Sequence, residues 1–157
     1  MLYLSTRGQS PTLSFRDVLL TGLANDGGLY IPETWPHLPS EQIKAMRGMN
    51  YEEIAFQILS PFIEDEIAPE KLKHMIKEAY ASFRHDAVAP LYQIDTNEYL
   101  LELFHGPTLA FKDVAMQLLA RIMDHTLAER DQRATIVGAT SGDTGGAAIE
   151  AFANRER

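Results

Sequence analysis

Two segments in the second half of this chain change hydrophobic pattern from strand to helix across a short loop, and that repeat limits the fold more than any other feature. In the first, Tyr99–Phe104 reads as a strand, and a helix is predicted from about Phe111 to Arg130, with Phe104-His105-Gly106-Pro107-Thr108-Leu109-Ala110 between them. In the second, the β-branched apolar run Ala134–Ala139 predicts a buried parallel-type strand. The loop Thr140-Ser141-Gly142-Asp143-Thr144-Gly145-Gly146 then leads into the helical run Ala147–Phe152. Alternation of strand and helix predicts an α/β fold with a parallel sheet. The hairpin Leu91–Ile94, turn Asp95–Glu98 and Tyr99–Phe104 opens that region. Open α/β sheets bind ligands beyond strand C-termini, which is where both loops fall.

Lys112 stands at the first of these junctions, in the first helical turn. The helix N-terminus is the positive end of the dipole, so a charged Lys is penalised there. A neutral amine is a nucleophile toward carbonyls. Ordinary surface lysines tolerate the same penalty, so position alone leaves both readings open. The helix carries an apolar stripe at Phe111, Val114, Ala115, Leu118, Leu119, Ile122 and Met123, and Lys112 lies off it. The second loop has little side-chain bulk, and small hydroxyl and glycine residues before a helix make a cup of backbone N–H groups suited to carboxylate or phosphate oxygens. It lacks the Gly-Lys-[Ser/Thr] of a Walker loop and the spacing of a Rossmann fingerprint. An amine and an anion cup on neighbouring loops point to a carbonyl cofactor and an anionic substrate.

The first half reads as mostly helical. Ser14 is placed to cap a helix over Phe15–Ala24, with Asp17 in the capping-box position. Ser40 is placed to cap Glu41–Met46, and Tyr51–Phe62 and Pro69–Phe83 form two longer helices whose stripes Ile54, Ile58, Leu59 and Leu72, Met75, Ile76, Tyr80 are core. Glu64-Asp65-Glu66 reads as a solvated loop. The chain divides near Arg84–Pro90, giving a helical region over 1–85 and the start of a sheet domain over 86–157.

The net charge is −8, with no basic cluster, which argues against nucleic acid as a partner. The absence of Cys excludes disulfides and thiolate chemistry and suits a reducing, cytoplasmic setting. No apolar run approaches the roughly 20 residues of a membrane helix, and the start, Met1–Arg7, lacks the pattern of a signal peptide. The five His fall in no ligand pattern, so no metal site is expected.

Phe104–Asp113 resembles the cofactor-lysine segment of the threonine synthases, and Gly138–Gly145 resembles their Ser-Gly-Asp-Thr-Gly loop. Those two segments are shared with fold-type II enzymes that use pyridoxal 5'-phosphate (PLP). Three N-terminal segments, Tyr3–Gly8, Phe15–Ala24 and Asp26–Pro32, narrow the resemblance to threonine synthases and close relatives, including threonine-synthase-like phospholyases. The resemblance implies conversion of O-phospho-L-homoserine and water to L-threonine and phosphate. It implies that Lys112 carries PLP and serves as the base, and that Thr140, Ser141 and Thr144 grip the substrate carboxylate. Asp143 stands where related enzymes place an Asn near the ring hydroxyl. A carboxylate there is either protonated or turned toward the Lys–cofactor linkage. Phe111 is core or packs beside the ring, and His105 is a loop residue or approaches phosphate. The family's phosphate-binding Gly-rich loop and its ring-nitrogen partner have no match in these 157 residues. The chain is therefore expected to be an N-terminal portion with an incomplete sheet, inactive alone. A non-catalytic fragment is the other reading.

Overall fold

The structure, a computed structural model, describes residues 1–157. These form two compact units, one of Met1–Met49 with Glu53–Leu72 and one of Asn50–Glu52 with Lys73–Arg157.

The first unit holds a sheet that the sequence did not announce. Strand β1 (Leu2–Ser5) lies between β2 (Leu13–Ser14) and β3 (Tyr30–Pro32), both antiparallel to it. Strands this short show no readable period-two pattern, so the region looked helical. Helix α1 (Phe15–Thr21) starts where expected, with the Ser14 hydroxyl accepting from the Asp17 amide. It stops three residues before the predicted Ala24, because Gly22 turns to φ 69° and returns its N–H to the Val18 carbonyl at 3.0 Å.

Helix α2 (Ser40–Ala45) corrects another expectation: Pro39 holds the cap position, and Ser40 is already inside the first turn. Helix α3 (Tyr51–Ile63) and α4 (Pro69–Tyr80) match their predicted spans to within three residues. Between them Glu64–Glu66 is a 3-10 turn, with Glu64 and Asp65 exposed as expected and Glu66 half-buried. The Glu66 carboxylate accepts from the Phe15 and Arg16 amides at 2.8 and 3.0 Å, satisfying first-turn donors of α1 that no helical carbonyl can reach. Ile63, Ile67 and Leu72 form the buried centre of this unit, and the buried Tyr3 donates its hydroxyl to the Phe62 carbonyl at 2.8 Å.

In the second unit the hairpin is present as β4 (Leu91–Asp95) and β5 (Glu98–Leu101). The predicted second strand ends three residues short of Phe104. Helix α5 (Asp113–Glu129) and α6 (Asp143–Phe152) pack on each other. The stripe predicted for α5 is rotated. Leu118 and Ile122 are buried as expected, but they are joined by Asp113, Gln117, Ala120, Thr126 and Leu127, while Phe111 is 60% exposed. Residues 134–139 do not form a strand. Val137 is 91% exposed, and no strand pairs with this run, although the Ala134 amide donates to the Arg157 carbonyl at 3.0 Å. All observed strand pairs are accordingly antiparallel. The stripe Met75, Ile76, Tyr80 of α4 is buried as predicted, with Ile76 fully so. The Tyr80 hydroxyl donates to the Val114 carbonyl on α5 at 3.2 Å, and its ring meets Tyr51 edge-on at 4.8 Å.

Candidate active site at the starts of two helices

Lys112 occupies the cap position of α5, at φ −62° and ψ −23°. Lysine offers no side-chain acceptor to the open amides of a helix start, so it does none of the capping that Ser, Thr, Asp or Asn would do there. Its side chain is half-buried, with the amine 4.4 Å from the centroid of the exposed Phe111 ring. Phe111 is therefore not a core residue here; it lies beneath the amine.

The loop before Lys112 is held tightly. Leu109 adopts φ 65°, a left-handed conformation costing about 1–2 kcal/mol for a residue with a branched side chain. Its amide donates to the Gly106 carbonyl at 3.2 Å. Asp113, fully buried, receives the Thr108 amide at 2.8 Å and the Thr108 hydroxyl at 2.6 Å. Gly106 is needed for contact: a Cβ on it would overlap the Asp113 side chain. Sequence reasoning quoted Thr108 and Asp113 as part of a motif but gave neither a role. The available signal was an acidic residue in a helix first turn, where the dipole favours negative charge.

His105 resolves toward the loop role. Its Nε2 is 2.7 Å from the Glu102 carboxylate, its ring centroid is 5.1 Å from that of His85, and its carbonyl accepts from the Arg84 amide at 2.9 Å.

The second loop is exposed at Thr140, Ser141, Gly142 and Asp143, with Thr144 half-buried. Helix α6 begins at Asp143, so Thr144, Gly145 and Gly146 lie inside it rather than in the loop. Gly142 sits at φ 127° and ψ −65°, a backbone state open to glycine and little else. The Thr140 hydroxyl accepts from the Gly142 and Gly145 amides at 3.1 and 3.0 Å. Two of the amides expected to form the cup are thus satisfied by a side chain of the loop itself.

Phe152 and Arg155, at and just past the end of α6, line a small cavity with Ala120, Met123, Asp124 and Leu127 from the latter part of α5. The Arg157 amide donates to Asp124 at 2.9 Å. The end of α6 is therefore fixed beside the latter part of α5. The start of α5 offers an amine and an aromatic face, and the start of α6 offers hydroxyls, helix-start amides and the Asp143 carboxylate.

Comparison with known proteins places the chain in a family. The model of the family "Threonine synthase N terminus" matches residues 2–80. Threonine synthase of Pseudomonas aeruginosa is 58% identical over 150 residues, covering 96% of this chain and 32% of that protein. That of Methylobacillus glycogenes is 48% identical over 165 residues, covering 99% of this chain and 34% of the relative. Among solved structures, PLP-bound threonine synthase from Brucella melitensis superposes with a TM-score of 0.97 at 63% identity, covering 99% of this chain and 34% of that one. The chain spans about a third of the length of the relatives it matches. With its amino-terminal half matched by that family's model and nearly all of its length matched by threonine synthases in sequence and in structure, the chain belongs to the threonine synthase family.

Proposed function

We propose that this chain is the lysine-bearing N-terminal portion of a PLP-dependent threonine synthase, a carbon–oxygen lyase that converts O-phospho-L-homoserine and water to L-threonine and phosphate. The observation that carries the reading is Lys112, a half-buried side chain with its amine over the Phe111 ring at the start of α5, on a hydrogen-bonded loop, in a chain 63% identical to a PLP-bound threonine synthase. The residues present fit the aldehyde end of the cofactor: Lys112 supplies the amine, and the exposed Phe111 ring beneath it supplies an apolar surface.

When bound, PLP supplies the electron sink for charge that develops beside the substrate amine. Lys112 holds the cofactor, and its free amine then takes and returns protons at the substrate's α and β carbons. Ser141 and Thr144, with the amides at the start of α6, bind and orient the substrate carboxylate, as opposite charge favours at a helix N-terminus. Thr140 belongs to the same group, with its hydroxyl oxygen already engaged by two amides. Asp143, exposed in the first turn of α6, is assigned to the cofactor.

The functional division falls between residues 1–85 and 86–157, a placement supported by the family match ending at residue 80. No helix is long and apolar enough to cross a membrane. With no Cys in the sequence, this accords with a cytoplasmic biosynthetic enzyme acting on a small molecule. The remaining two-thirds of the polypeptide supplies the cofactor-phosphate loop and the ring-nitrogen partner, so these 157 residues alone turn over no substrate.

The test is borohydride reduction of the complete enzyme with PLP, then peptide mapping. The pyridoxyl group is expected on Lys112, and a label on Lys71, Lys73 or Lys77 overturns the assignment. Incubation with O-phospho-L-homoserine is expected to yield L-threonine and phosphate in equal amounts. Phosphate release with a different carbon product would reassign the chain to a phospholyase.

A further inference from the structure

We infer that Asp113 is a positioning residue for Lys112: its carboxylate fastens the Gly106–Leu109 turn to the start of α5 and so fixes the direction in which the Lys112 amine leaves the backbone. The inference rests on Lys112 being the cofactor lysine.

Asp113 has no exposed surface, and no cation pairs with it. A buried carboxylate without a cation needs other stabilisation. It gets this from both donors of one residue, the Thr108 amide on one oxygen and the Thr108 hydroxyl on the other, and from its place at the positive end of α5. Its side chain lies directly on Gly106, where any Cβ would collide with it. The Asp113 amide in turn donates to the Ala110 carbonyl at 3.0 Å, and the Leu109 amide to the Gly106 carbonyl at 3.2 Å. The eight-residue segment from Gly106 to Asp113 is therefore tied at both ends, with a strained Leu109 inside it. Lys112 is the penultimate residue of that closed segment.

A side chain that only served the helix would sit at the cap and accept from the helix's own amides. Here Lys112 holds the cap position, and the acid one residue later turns away from those amides to grip the preceding loop. The arrangement gives up a cap at the one position that must present an amine, and it transfers the anchoring to the next residue.

The experiment uses the complete holoenzyme with Asp113→Asn, Thr108→Val and Thr108→Ser. Readouts are the PLP dissociation constant by absorbance, the borohydride-labelled peptide and amide hydrogen exchange. Loss of one charge-assisted bond predicts that Asp113→Asn and Thr108→Val each weaken PLP retention about tenfold or more. The label stays on Lys112. Exchange at Thr108 and Leu109 accelerates by about tenfold or more while Ile122–Thr126 changes by less than about twofold. Thr108→Ser keeps both donors and is expected to stay within about threefold of the parent in every readout. Unchanged PLP retention and exchange in Thr108→Val, or acceleration spread equally through α5, would overturn the positioning role. A label on another lysine would instead overturn the site assignment, and this inference with it.

Discussion

The two units treat their strands in opposite ways. In the first, strands of four, two and three residues are all paired, with β1 bonded along both edges. In the second, β4 and β5 are as long or longer and carry large apolar residues in the same proportion, yet they pair only with each other. Leu91, Tyr92, Ile94, Tyr99, Leu100 and Leu101 are all about half exposed or more. The run 134–139, with β-branched Thr135, Ile136 and Val137 at its centre, forms no strand. Strand propensity is a preference for a half-buried pleated surface, and it is realised only where neighbours supply that surface. The first unit supplies its own, and the second carries its chemistry on loops that the chain holds by local hydrogen bonds.

Function should therefore be most fragile in the second unit and packing in the first. The largest effect is expected from Lys112→Ala in the complete enzyme: a loss of about 10²–10⁴-fold or more in turnover, with the melting temperature of the apoenzyme nearly unchanged. A substantial fall in that melting temperature would break the contrast. Next, Ile67→Ala in the first unit should cost about 2–5 kcal/mol by urea denaturation, since it empties a fully buried site. Val137→Ala, almost fully exposed in this chain, should change stability by less than about 0.5 kcal/mol. Equal costs would mean that residues 134–139 are packed in solution. Ser141→Ala in the complete enzyme should weaken substrate by about 1.5–3 kcal/mol while PLP affinity is preserved. The reverse pattern would move the loop from substrate to cofactor.

The smallest effect is a pH dependence confined to the first unit. Partial burial raises the Asp26 carboxyl, but hydrogen bonds from Ser5, Gly28, Gln9 and Ser10 outweigh it and bring it to about 2. A carboxyl lowered on folding adds stability that is fully present above its unfolded value near 4 and is lost as pH falls toward 2. Asp26→Asn should flatten the stability curve between about pH 4 and pH 2 and leave its slope at neutral pH unchanged. A slope that persists in the variant would place the titration elsewhere.

What could be read from the sequence follows from the range of each interaction. Helices α3, α4 and α5 were legible because their apolar spacing is local, and α1 because Ser14 and Asp17 cap it within one turn. The helix starts at Lys112 and at the Thr140–Gly145 loop were legible because the helical run that follows each is local, whereas the strand expected before the second did not form. The N-terminal sheet was not, since β1 pairs with β3 more than twenty residues away and neither is long enough to show a period. Glu66 was misread for the same reason: its partners, Phe15 and Arg16, lie about fifty residues off. Ser40 was misread because Pro39 serves equally well as a helix boundary. Asp113 hid within the motif because its burial depends on a glycine seven residues earlier, a relation no composition or period displays.

The Thr140 hydroxyl has one more implication. By sitting on the Gly142 and Gly145 amides, it acts as an internal stand-in for a ligand oxygen. An incoming carboxylate at those amides does not meet bare donors; it displaces a neutral acceptor that already satisfies them. The affinity gained there is then a difference between charged and neutral acceptors rather than the whole of either bond. On the proposed role of this loop, its selectivity for an anion is that exchange energy, not the absolute strength of an amide bond.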